Sequence, residues 1–113
     1  MQISSETTNE ALFLSIEGQI NGNNATNLEA RLRAHVDQAS YRIALDFSGV
    51  DYISSAGLRV VLWLAKQLQD HAGALALYGL RQNVLEIFDM CGFVDILTIV
   101  ENRETALEKI RPA

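Results

Sequence analysis

Four times along the chain a short apolar run gives way to a stretch with helical spacing, and this alternation restricts the fold more than any other feature. The runs are Ala11–Glu17, Ile43–Phe47, Ala74–Tyr78 and Ile96–Val100, followed in turn by helical patterns at Ala25–Ala39, Ser55–Gln69, Gln82–Met90 and Glu104–Ile110. Strands separated by a helix cannot pair as a tight hairpin; they lie parallel, with the helix crossing over the sheet. A weaker strand, Gln2–Thr7, precedes the first run across the polar turn Thr8–Glu10 and should pair with it as a hairpin. The expected fold is α/β: a mixed, mostly parallel sheet of about five strands opened by that hairpin, with about four helices, in one domain over residues 1–113.

The periodicities inside the elements say which faces should be buried. Leu12, Leu14 and Ile16 alternate against Phe13, Ser15 and Glu17, and Leu28, Leu32 and Val36 form an inward stripe on the first helix. Asn23 or Asn24, in the turn-rich segment GQINGNN, is the natural N-cap of that helix. On the second helix Leu58, Val61, Leu62, Ala65 and Leu68 should face the sheet, and Gly73 in DHAG suits the C′ position. Ala56, Val60 and Trp63, spaced i, i+4 and i+7, make a second stripe flanked by Arg59, Lys66 and Gln67. A large aromatic rimmed by polar side chains is typical of a protein contact site; cover by a neighbouring loop or by the terminal helix is the equal alternative.

Composition removes several classes of function. With 113 residues, 49% hydrophobic and 20% charged, there is room for one core, because domains run to roughly 100–150 residues. The net charge of −5 leaves no basic stripe for a phosphate backbone, so no nucleic-acid partner is expected and a protein partner fits better. Cys91, the single cysteine, can form no internal disulfide, has no ligand-spaced partner for zinc, and is expected to be a small core residue. The N-terminus MQISSETTNEALFLSIEG lacks a basic region and a continuous apolar region, so no secretory signal is expected. No run approaches ~20 apolar residues, so membrane insertion is not expected and the location should be cytoplasmic. Nor is there a glycine-rich loop of P-loop or dinucleotide type, so no cofactor is expected.

The stretch DYISSAGLRVVLWLAKQL, Asp51 to Leu68, is the most informative. It joins a strand to a helix at the carboxyl end of a sheet, where α/β folds commonly place functional groups. Ser54, Ser55, Ala56 and Gly57 are small, leave hydroxyls accessible and let another chain come close. Either serine could simply be an N-cap, worth about 1 kcal/mol. A phosphate on either would also be tolerated, since a helix N-terminus favours negative charge by ~0.3–1 kcal/mol at an exposed end. A nucleophile elbow needs G-x-S-x-G, and Ile53 stands where the first glycine would precede Ser55. His35 and His71 fall on polar helix faces or ends and should be solvated, serving no serine.

The segment ALDFSGVDYISSAGLRVVLWLAKQL resembles the STAS domain family, and within it the free-standing anti-sigma-factor antagonists. Asp46, Phe47, Ser48 and Val50 match the family's strand, and Ser55, Ala56, Gly57 and Leu58 match its turn. IEGQINGNNATNLEARL and NVLEIFDMCGFVDILTIVENRETAL are similar to further family segments, so the likeness covers essentially the whole chain. It implies a non-enzymatic, phosphorylation-gated binding module. The unphosphorylated form would bind an anti-sigma factor that is also a serine kinase, freeing the sigma factor, and a phosphoserine phosphatase would reset it. The phosphoacceptor implied is Ser55, with Ser54 the lesser candidate, and the partner-binding residues are Asn21, Ser54, Ala56, Gly57, Arg59, Val60 and Trp63. Two positions depart from the pattern: Ser54 and Asn21 stand where the family commonly has acidic residues. These departures keep open the alternative of a STAS-type scaffold or transporter accessory subunit that binds without phosphorylation control. Oligomeric state is not legible.

Overall fold

The α/β expectation holds in the computed structural model, which describes residues 1–112. Strands β1 (Gln2–Thr7) and β2 (Leu12–Ile20) lead to helix α1 (Ala25–Asp37), and β3 (Arg42–Ile53) leads to α2 (Ser55–Asp70). Then follow β4 (Ala74–Tyr78), α3 (Gln82–Met90), a short 3-10 turn at Phe93–Asp95, β5 (Ile99–Val100) and α4 (Arg103–Ile110). The sheet order is the chain order, β1-β2-β3-β4-β5, with β1 antiparallel to β2 and every later pair parallel.

That order decides where the helices go. Each crossover steps to the next strand in the same direction, so the right-handed rule puts α1, α2 and α3 on one face. There Leu14, Ile16, Ile20, Ile43, Leu45, Phe47 and Leu77 of the sheet pack against Leu28, Leu32, Val61, Leu64, Leu68, Val84 and Phe88 of the helices. Each fully buried Leu or Ile contributes about 1.5–3 kcal/mol, so this layer is the main source of stability. Only α4, after the last strand, is free to cover the opposite face, where Ala106 and Ile110 meet Phe13, Ala44, Ala76 and Tyr78. It is tied down at both ends. Arg103 stacks 3.9 Å over the Phe13 ring and holds Glu6 of β1 with two hydrogen bonds, 2.7 and 3.2 Å, while Arg42 donates to the Ile110 carbonyl at 2.6 Å.

Several expectations need correction. β3 continues past Phe47 to Ile53, because two register shifts against β2 break the strict alternation after Phe47 and return Val50 and Ile53, three residues apart, to the interior. Beyond its last pairing with β4, at Asp46, the outer edge of β3 is met by α3: Arg81 donates to the Ser48 carbonyl at 3.1 Å and Asn83 to that of Asp51 at 2.9 Å. β5 is confined to Ile99–Val100, and Ile96 is solvent-exposed. Cys91 is exposed rather than buried. The left-handed Gly92 turns the chain back so that Phe93 meets Phe88 edge-on at 6.3 Å and takes the inward place. On α2 the fully buried residue missing from the expected stripe is Leu64, while Leu62 and Ala65 are half-buried at its margin.

Candidate functional site

The carboxyl ends of β2 and β3 lie side by side, in parallel register at Gln19 with Tyr52 and Ile20 with Ile53. The Ser54 amide then donates to the Ile20 carbonyl at 2.8 Å, which locks the β3–α2 turn against the β2–α1 turn. The Asn21 loop and the serine turn are thus brought together by strand register and by this one backbone hydrogen bond.

At the serine turn the two hydroxyls have different employment. Ser54 has extended backbone (φ −88°, ψ 171°), the geometry of an N-cap, and its Oγ accepts from the Gly57 amide at 3.2 Å. Ser55 is the first helical residue, exposed, and its hydroxyl has no hydrogen-bond partner among the described residues. Its amide belongs to the first turn, where N–H groups lack intrahelical acceptors. An anion placed on Ser55 would face those donors.

The Asn21 loop is organised by its own side chains. Asn21 Oδ1 accepts from the amides of Asn23 (2.9 Å) and Asn24 (3.1 Å), and its carbonyl accepts from the Ala25 amide at 3.0 Å. Asn24, formally the N-cap of α1, makes no side-chain cap bond; its Oδ1 turns back to accept from the Asn21 amide at 2.9 Å, and its Nδ2 donates to the Gln19 carbonyl. Asn21 therefore holds the start of α1 while sitting half-buried beside the serine turn.

Two residues expected on the contact surface are interior. Gly57 is buried, and a Cβ there would stand 2.6 Å from Ile20 Cγ2 and 2.8 Å from Ile53 Cγ1, so its missing side chain seats α2 on the strand ends. Val60 is only 6% exposed because α1 packs along that flank of α2. Trp63 lies between the alternatives drawn from its sequence position. It is half-buried, covered by α1 rather than by a loop or α4, with the Arg33 guanidinium 4.5 Å from its ring centre. Arg33 in turn pairs with Glu29 at 3.3 Å. What remains open is a groove of about 400 Å³ lined by Thr26 and Glu29 of α1 and by Ala56, Arg59 and Trp63 of α2. Tyr52, 45% exposed on the other side of the turn, is an aromatic that sequence reasoning passed over; its place one residue before the inward Ile53 was the available signal.

The catalytic alternatives find no assembly. His71 caps the far end of α2, roughly 24 Å along the helix from Ser55 at 1.5 Å per residue. There it stacks on Tyr41 with ring centres 4.3 Å apart, and its Nδ1 lies 2.8 Å from the Gln67 carbonyl. His35 is half-buried in the last turn of α1. Among the described residues no His, Cys, Asp and Glu cluster could hold a metal ion, and no helix is long and apolar enough to cross a membrane.

Comparison with known proteins agrees with this fold. A family model described as STAS domain matches residues 2–106. BtrV of Bordetella bronchiseptica, provisionally named an anti-sigma factor antagonist, is 41% identical over 113 residues, covering 100% of this chain and 97% of its own. Among solved structures, a Thermotoga maritima protein, also provisionally an anti-sigma factor antagonist, superposes with a TM-score of 0.92 at 20% identity, covering 97% of this chain and 95% of its own. The Bacillus cell fate determinant SpoIIAA in its phosphorylated form gives a TM-score of 0.72 at 18% identity, with 95% and 97% covered.

Proposed function

The chain belongs to the STAS domain family, and from that membership we propose that it is an anti-sigma-factor antagonist whose binding is switched by phosphorylation of Ser55. One observation carries the choice of acceptor: Ser54 Oγ is engaged by the Gly57 amide, whereas the neighbouring Ser55 is exposed with an unengaged hydroxyl. The antagonist name of BtrV and the phosphorylated state of SpoIIAA support the reading. The unphosphorylated domain binds an anti-sigma factor that is also a serine kinase and so releases the sigma factor; a phosphoserine phosphatase restores it. The domain is substrate and binding module, without catalysis of its own, and it works in the cytoplasm. Partner contact runs along Ser55, Ala56, Arg59 and the open edge of Trp63, with the Asn21 loop at one end. Gly57 and Val60 shape that surface from beneath.

The size of the switch follows from charge. A phosphoserine carries about −1.5 to −2 charges at pH 7, and burying it against a partner that offers it no cation costs several kcal/mol. A penalty of ~4 kcal/mol weakens binding about a thousandfold, with no change of fold. Incubation with the kinase and ATP, followed by phosphopeptide mass spectrometry, should find phosphate on Ser55. Ser55→Asp should then bind the partner at least about a hundredfold more weakly than Ser55→Ala. Phosphate on neither Ser54 nor Ser55 defeats the proposal, and equal binding of the two variants is the result expected of a constitutive scaffold or transporter accessory subunit.

A further inference from the structure

We infer that Arg59 is the intramolecular partner of the phosphate on Ser55, so that phosphorylation withdraws a docking residue as well as adding charge. The inference rests on Ser55 being the phosphoacceptor. Ser55 is the first residue of α2 and Arg59 stands four positions on, so the two occupy one helix face with Cβ atoms roughly 5–6 Å apart. Side chains on a helix lean back toward its N-terminus, which directs the Arg59 guanidinium toward the serine.

The other charges around the turn leave this pairing open. Arg59 is exposed and, among the described residues, has no hydrogen-bond or ion-pair partner. Glu29, the acidic side chain that lines the same groove, is already held by Arg33, and Arg33 is itself placed over Trp63. No acidic residue occupies the first turn of α2. Competing cations are engaged or distant: Arg81 donates to the Ser48 carbonyl, and Lys66 lies roughly 16 Å along the helix axis from Ser55. A phosphate offers several acceptor oxygens, and a guanidinium can bind two of them in its planar fork. The order, anion first and cation four residues later, also runs with the helix dipole.

The consequence is an exchange of partners. Before phosphorylation Arg59 stands at the rim of the α1–α2 groove, available to a carboxylate of the bound protein; afterwards it is held by its own helix.

The test uses protein with phosphoserine installed at position 55 by genetic incorporation, so no kinase is required. Titration by 31P NMR compares the native side chain at 59 with Arg59→Gln and Arg59→Lys. The second phosphate ionisation should fall about 0.2–0.4 pH unit lower with Arg or Lys than with Gln, and the difference should collapse in 1 M salt. The same titration in all three proteins would overturn the inference. Should the titrations differ as expected while no kinase modifies Ser55, the pairing stands and the proposed function falls.

Discussion

At Ser54 a hydroxyl satisfies an amide that would otherwise sit unpaired where α2 meets the ends of β2 and β3, and that bond frees Ser55 from any structural duty. Ser54→Ala should cost about 1 kcal/mol, the usual value of an N-cap, lowering Tm by roughly 4–8 °C in a domain near this size. Ser55→Ala should stay within about 0.5 kcal/mol of the native protein, as an exposed change does. Ser54→Asp should recover the loss, since aspartate caps as well as serine. Calorimetry on the three variants decides it, and equal losses at the two serines would place the cap elsewhere. Family register favoured Ser55 as the phosphoacceptor, but nothing in DYISSAGL says which serine caps the helix, because both fall within a residue of its start and only the backbone angles decide which hydroxyl turns inward. The same limit applies at Gly57 and Val60. Spacing put Val60 on the outer face of α2, and the family resemblance put Gly57 on the contact surface, but the Cβ-free contact with Ile20 and Ile53 and the cover by α1 depend on neighbours far away in sequence.

Among the elements, α1 and α2 end in the same motif. Past α2, the Gly73 amide donates to the Leu68 carbonyl at 2.7 Å and the Ala72 amide to Gln69 at 3.1 Å; past α1, Ser40 and Ala39 donate to His35 and Val36 in the same pattern. The left-handed residue is an alanine each time, Ala39 at φ 64° and Ala72 at φ 57°. The glycine of DHAG, expected at C′, stands one residue later because a Cβ there would lie 1.9 Å from the Tyr41 carbonyl oxygen. An L-residue in this conformation costs roughly 1–2 kcal/mol, and glycine returns about 0.5–1 kcal/mol of that through the freedom it adds to the unfolded chain. Ala72→Gly should therefore stabilise the protein by about 0.5–1 kcal/mol. Gly73→Ala, which drives a methyl into backbone, should destabilise it by more than that. Urea unfolding at constant m-value separates the two, and a destabilising Ala72→Gly would show that the left-handed turn is not strained.

Over the whole molecule, the order of elements was legible because alternation of apolar run and helical stripe, with right-handed crossovers, leaves few topologies; three helices on one face and the candidate site at the strand ends both follow from it. Strand ends were less legible. Ser48 and Gly49 look like a turn yet lie inside β3, and Ile96 and Leu97 look like a strand yet serve as the approach to one. Charge acts at this scale too. Burial, helped by nearby Arg31, lowers the pKa of His35 below its ordinary value near 6.5, so the folded protein binds its proton less readily than the unfolded chain. Stability should then fall as pH drops through 6.5 and continue falling until the lowered folded value is passed. Glu6, held down by its hydrogen bonds to Arg103, has the same sign in a separate window, below the ordinary carboxylate range near 4.5. The net charge of −5 works against the His35 effect, because protonation on the way to a pI near 4.9 relieves self-repulsion, whereas in the Glu6 window below that pI protonation adds net positive charge. Comparison of the native protein with His35→Gln removes that common background. Chemical denaturation at pH 7.5 and 5.5 should show a larger loss in the native protein than in the variant; equal losses would mean that His35 binds its proton alike folded and unfolded.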